Sequence, residues 1–273
     1  MREFFYPLSV AVIGVSAKPT NLGRNIVGNL VEYGFSGIVY AVGPNGGMIE
    51  TRRIYRSVGD IPDHIDLAVI FTPAKTVPGI LDDCGQKGIR RVIVETTGFR
   101  EYGNEGRQLE AEMAEIAEKY GIRFVGPNCV GAINMENGFC VPFPRLRKFI
   151  KQGDVSIITQ SGGVGMSALN LMANEGLGLN KFVSVGNMVN VDAEDVLEYL
   201  ITDEGTKLIF LYLESIRDGR RLMEIARKSP KPILAFKANI GKLGQDIALS
   251  HTASLTSDDK VVEAAFHQSG IIR

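Results

Sequence analysis

Three residue groups have the types needed for group-transfer chemistry. The stretch "ALSHTASL" holds His251, one of three histidines in the chain, between two hydroxyls. A neutral imidazole is a fair base and a fair nucleophile at pH 7. In "IITQSGGVG" an apolar run ends at Thr159, and Ser161, Gly162 and Gly163 open a helical segment. A helix start rich in glycine offers backbone N–H groups to an anion. Glu214 ends the run "KLIFLYLES". A carboxylate there can accept one imidazole N–H and leave the other nitrogen free to react. A solvated strand-end Glu is the plainer reading of that position. The order Ser161, acid, His251 also admits an α/β hydrolase with Ser161 as nucleophile. Thr159, standing where the strained elbow needs glycine, weighs against it.

A second constellation lies near the start. "VAVIGVSAKPTNLGRNIVGNL" sets Gly14 at a strand end and Gly23 at a helix start, with Ser16, Lys18 and Asn21 between them. Such a turn lets backbone approach a phosphate, although glycines also serve simply to make the turn tight. The spacing is not that of the dinucleotide fingerprint. After the next strand, "VYAVGPNGG" presents Asn45 where nicotinamide enzymes carry a ribose-binding acid. That demotes NAD and leaves room for a ligand with a phosphorylated ribose, such as coenzyme A. Pro73 and Ala74 in "FTPAKT", and Thr96, Thr97 and Gly98 in "ETTGF", are small or hydroxylic residues at further strand ends.

These groups need sheets to position them. "SVAVIGV", "GIVYAV", "DLAVIFT", "RVIVET" and "IRFVG" form one series of apolar runs, and "VSIIT", "KFVSV", "KLIFLYLE" and "KPILAF" a second. Runs without polar alternation, separated by amphipathic segments, predict an α/β fold of two doubly wound parallel sheets. The expected domains are 1–130 and 131–273, with "GAINMENGFCVPFPRLRKFIKQGD" read as the connection. "GNEGRQLEAEMAEIAEKYG" predicts a helix stopped by Gly121, its acidic residues forming a solvated face.

With 30 Lys plus Arg against 31 Asp plus Glu among 273 residues, no basic field recruits nucleic acid or an anionic membrane. Three cysteines without C-x-x-C pairing offer neither a disulfide framework nor a metal site. Without a leader or a spanning run, the expectation is a cytoplasmic protein.

Five stretches in order, "FVGPNCVGAIN", "IITQSGGVG", "FVSVGNMVNVD", "LYLESIRDGR" and "ALSHTASL", resemble the alpha-type half of NDP-forming acyl-CoA synthetases. These include ADP-forming acetyl-CoA synthetases and are relatives of the succinyl-CoA synthetase alpha subunit. The resemblance implies a Rossmann-like CoA-binding domain followed by a flavodoxin-like ligase domain. By position it makes His251 the phosphorylated residue, Glu214 its steadying partner, and Ser161 and Gly162 the phosphoryl-binding helix start. Ser16, Lys18, Asn21, Gly23, Asn45, Pro73, Ala74 and Thr96 to Gly98 match the regions that hold coenzyme A. Acid, coenzyme A and nucleoside triphosphate would be interconverted with acyl-CoA, diphosphate and phosphate through an acyl phosphate.

The resemblance also implies that the Mg-nucleotide enters through an ATP-grasp subunit or a C-terminal continuation. Two departures stand beside it. Ala253 follows "HT" where the family reads His-Thr-Gly-Ser, and "LTSDDK" lacks the usual glycine. A catalytically silent module that senses CoA or acyl-CoA is therefore the alternative expectation.

Overall fold

The computed structural model describes residues 1–49, 51–146, 149–239 and 258–273. His251 and Ala253 lie outside the described residues. The strand β1 (Ser9–Ile13) reads SVAVI, and all five residues are buried. A strand covered on both faces by helices requires such a run. The chain continues through α1 (Leu22–Glu32), β2 (Ile38–Val42), β3 (Gly47–Ile49), β4 (Arg52–Tyr55), β5 (Leu67–Ile70), α2 (Val77–Lys87), β6 (Arg91–Val94), α3 (Asn104–Tyr120) and β7 (Arg123–Val125). These strands make a sheet of order β3-β4-β2-β1-β5-β6-β7, parallel except for the β3–β4 hairpin.

The second half contains β8 (Ala132–Asn134), β9 (Phe139–Cys140), β10 (Lys151–Thr159), α4 (Gly162–Glu175), β11 (Gly178–Ser184), α5 (Ala193–Leu200), β12 (Leu208–Leu213), α6 (Gly219–Arg227), β13 (Ile233–Lys237), α7 (Asp259–Ser269) and β14 (Ile271–Ile272). Its sheet runs β14-β13-β12-β10-β11-β8-β9, with β8 and β9 antiparallel at one edge. The segment expected to be a plain connection thus supplies two edge strands. Their register, Phe182 against Ile133 and Ile133 against Cys140, buries both short strands.

In each sheet a central strand, β1 or β10, has neighbours on either side that the chain reaches by crossovers in opposite directions. At such a switch point the loops beyond the carboxyl ends splay apart and leave a crevice. One apolar core runs across both halves, from Val12 and Ile26 through Val125 and Phe139 to Ile158 and Leu197. Each such side chain, fully buried, contributes about 1.5–3 kcal/mol relative to exposure. Phe5 stacks on Tyr199 with ring centres 5.3 Å apart, and Phe71 on Phe143 at 4.8 Å. These contacts fix the two crevices relative to each other.

Candidate active site

The first crevice is a cavity of about 900 Å³, lined by the ends of β1, β2, β5 and β6. Ile13, Val15, Val42, Phe71 and Ile80 make its apolar wall, and Gly14, Ser16, Asn21, Asn45, Pro73, Thr96 and Thr97 bring polar groups and close backbone. Gly14 has φ +104°, and a Cβ there would lie 2.0 Å from the Phe71 carbonyl oxygen, so no other residue fits. Asn21 caps α1. Its Oδ1 accepts from the N–H groups of Ser16 and Arg24, while its Nδ2 donates to the Gly14 carbonyl. Both ends of the amide are therefore spent shaping the loop.

Lys18, Gly23, Ala74 and Gly98 from the sequence set do not line this cavity. Lys18 is exposed, and its carbonyl accepts the Asn21 N–H within the turn. Gly23 packs beneath, where a Cβ would sit 2.6 Å from the Gly14 oxygen. Arg56 and Asp83 do line it, and neither belongs to a recognisable motif.

The second cavity, about 700 Å³, lies between the domains. Its wall includes Thr97 and Arg100 from the first domain, and Ser161, Gly162, Gly163 and Glu214 from the second. The Ser161 Oγ accepts the Val164 N–H as the cap of α4. With φ −92° and ψ 120°, Ser161 sits in ordinary extended backbone, not the strained elbow of a hydrolase nucleophile. The N–H groups of Gly162 and Gly163, in the first turn, have no acceptor within the helix and can serve an anion.

Gln160 Oε1 accepts from the N–H groups of Glu214 and Ser215, at 2.5 and 2.8 Å, so it locks the carboxylate-bearing loop to the helix start. Lys237, almost wholly buried, donates to the Glu214 carbonyl at 2.8 Å. Burial lowers its pKa, with Arg273 adding to the effect. Arg217 donates to the Met188 carbonyl at 2.7 Å and so ties its own loop to the neighbouring turn.

Two of the family-like stretches dock directly on each other. Asn187 N–H donates to the Pro127 carbonyl, and Asn128 Nδ2 donates to Asn187 Oδ1 at 3.2 Å. At Gly186, φ is +56° and a Cβ would fall 2.2 Å from the Pro127 oxygen. Asn187 Nδ2 in turn donates to Glu101 at 2.8 Å and to Glu110 at 2.7 Å. Arg100 Nε pairs with Glu110 at 2.8 Å, and its Nη2 donates to the Asn187 carbonyl. Glu101 Oε1 accepts from Gly98 and Phe99 N–H, which couples the first-domain loop to the turn at the second cavity.

Glu110 overturns one expectation: it lies on the α3 side read as a solvated face, yet it is buried and paired. Glu110 turns inward because Arg100 and Asn187 meet it there. Cys129 is buried, and burial with the nearby Glu95 raises its pKa, so it supplies no thiolate. Glu95 itself is fully buried at the seam, beneath Thr96. Its oxygens find no hydrogen-bond partner among the described residues, and the Phe143 backbone N–H offsets only part of the effect of burial. Burial pushes its pKa well above the usual carboxylate range.

Residues 8–135 match the CoA binding domain family, and residues 152–273 match the succinyl-CoA ligase like flavodoxin domain. The chain is 43% identical over its whole length to the acetate–CoA ligase (ADP-forming) I subunit alpha of Pyrococcus furiosus, of which it covers 60%. It is 42% identical to the acetate–CoA ligase (ADP-forming) II of Archaeoglobus fulgidus, covering 41% of that protein. The chain belongs to the ADP-forming acyl-CoA synthetase alpha family.

A solved structure of this synthetase family, the Ca. Korarchaeum cryptofilum dinucleotide forming acetyl-coenzyme A synthetase 1 in complex with phosphate and ADP, superposes with a TM-score of 0.93. Identity to it is 36%, and the match covers 99% of this chain and 58% of that one. The chain thus spans from about two fifths to three fifths of the length of these synthetases. Among the described residues, no helix is long and apolar enough to cross a membrane.

Proposed function

We propose that this chain is the coenzyme A-binding, phosphohistidine-carrying part of an acid–thiol ligase that forms nucleoside diphosphate. The observation that carries the reading is Thr97, which lines both cavities. A ligand held along the first cavity would present its reactive end at that wall, beside the anion cradle at Ser161, Gly162 and Gly163. The first cavity fits coenzyme A in kind: an apolar slot for a flexible arm, and backbone at Gly14 close enough to meet a phosphate. We place the boundary between the two working halves at residues 130 and 131, between the last strand of one sheet and the first of the other.

The chemistry runs in three balanced steps. In the direction of acyl-CoA use, a phosphate oxygen attacks the acyl carbon, the C–S bond breaks, and the thiolate leaves with its charge. A nitrogen of His251 then attacks phosphorus, the P–O bond to the acyl group breaks, and the carboxylic acid departs as carboxylate. Phosphohistidine finally transfers the phosphoryl group to a nucleoside diphosphate. That nucleotide, with its Mg²⁺, is bound by an ATP-grasp partner or by a segment beyond this chain. Glu214 steadies the imidazole, and the α4 N-terminus stabilises charge on the moving phosphoryl group.

The test is phosphorylation of the full chain with radiolabelled acetyl phosphate, and separately with acetyl-CoA plus labelled phosphate. Acid-labile, base-stable label should form, disappear in His251→Ala, and form about 100-fold more slowly in Glu214→Gln. Unchanged label in His251→Ala would overturn the relay. Tight coenzyme A binding without label under any condition, a nucleotide-binding partner included, would favour the sensing module instead.

A further inference from the structure

Among the described residues, the first cavity has walls of hydrocarbon, hydroxyls, amides and the Asp83 carboxylate, and a single cation. That cation is Arg56, just after β4, among lining residues that otherwise include no Lys or Arg. Lys18, the cation nearest in sequence to the phosphate-approaching turn, stands outside the wall. Arg53 is engaged over the Tyr55 ring at 4.9 Å. Arg56 makes no ion pair or hydrogen bond among the described residues.

Its position follows from the β3–β4 hairpin. The side chain lies over Gly46, where a built Cβ would meet Arg56 Cγ and Nε at 3.6 Å, and so it stands beside Asn45 at the end of β2. The end of the second strand is where a doubly wound sheet receives the ribose of its ligand. A carboxylate there selects free ribose hydroxyls, and an arginine nearby accommodates a ribose phosphate. Here the carboxylate is missing, Asn45 and Gly46 are neutral, and the arginine arrives from another strand. A guanidinium offers a planar fork of donors suited to a phosphate dianion.

Resting on the reading that this cavity takes coenzyme A, we propose that Arg56 binds the phosphate on the ribose and makes the site select coenzyme A over 3′-dephospho-coenzyme A. Arg56 is a specificity-determining residue on this account. It touches no reacting atom.

Calorimetric titration of the full chain with each ligand tests this, using wild type, Arg56→Gln and Arg56→Lys. Wild type should prefer coenzyme A by about tenfold, a preference that shrinks as salt rises, because Arg56 is exposed. In Arg56→Gln the affinity for coenzyme A should fall by about that factor while that for the dephospho ligand stays put, so the preference disappears. Arg56→Lys should retain part of it, since the charge survives without the fork. Equal loss for both ligands, or an undiminished preference, overturns the role of Arg56 while leaving the cofactor reading intact. If wild type binds neither ligand, the cofactor reading falls and this assignment with it.

Discussion

The first cavity and the inter-domain cavity share a wall at Thr97 but are made of different material. The first is built from one sheet, with Ile13, Val15, Phe71 and Ile80 around a few hydroxyls, the Asp83 carboxylate and, among the described residues, one guanidinium. The second is built from both domains and is held by Arg100, Glu101, Glu110, Gln160 and Asn187, each bonded to others of its surroundings. An apolar slot binds by shape, so losing one polar contact costs a graded amount of affinity. A site that must aim dipoles at a transferring charge needs partners fixed in advance, and no member of such a network can be removed alone without stranding another.

Three variants set that contrast against measurement. Arg100→Ala leaves the buried Glu110 carboxylate without its cation and with the Asn187 amide as its remaining side-chain donor, and should cost about 3 kcal/mol in urea unfolding, the low end for a broken buried pair. The side chain of Arg100 keeps 32% of its exposure, which softens the loss. Coenzyme A affinity of the folded variant should stay within about threefold; a fall matching the lost stability would erase the distinction between the cavities.

Glu95→Gln probes the seam through pH. In the fold the Glu95 carboxyl stays protonated at pH values where the unfolded chain has released the proton. Wild-type stability therefore falls as pH rises above the unfolded value near 4.3, by about 1.4 kcal/mol per pH unit, until the folded pKa is passed. Below that window the contribution is fully present. The Gln variant should lack this slope in denaturation series from pH 4 to 8, and parallel curves would mean that Glu95 is ionised in the fold.

Ser161→Ala removes the α4 cap together with a hydroxyl of the proposed anion cradle, at about 1 kcal/mol or less of stability given the long 3.3 Å bond. Thermal unfolding should report that small loss with coenzyme A affinity unchanged. A large drop in affinity would show that the cofactor also depends on the second cavity.

Much of the architecture was legible in the order of apolar runs. The nine anticipated strands are apolar runs, and all but β7 lie inside their sheets, where burial writes itself into composition. The strands that escaped notice, β3, β4, β8, β9 and β14, are short edge pieces whose pairing depends on partners far along the chain. "GAINMENGFC" looks like a connection because its two strands have three and two residues. The site divides the same way. Gly14, Ser161 and Glu214 announced themselves by standing at strand ends, but Arg56 and Arg100 are isolated polar residues without period or motif, and Gln160 and Asn187, though inside family-like stretches, carry no spacing that names their partners. Their roles come from who meets them: Asn187 finds Glu110 across 77 positions of sequence.

Because Thr97 belongs to the first domain and faces both cavities, the first domain acts as a ruler: a ligand seated there would reach the second cavity at a distance that domain alone sets. The far side of the second cavity, at Met188, Val189 and Ile216, belongs to the other domain and takes no part in that measurement. Changes of side chain there would reshape the second cavity and leave the first-domain wall at Thr97 where it is. A fold divided in this way separates the wall that both cavities share from the residues that shape only the second.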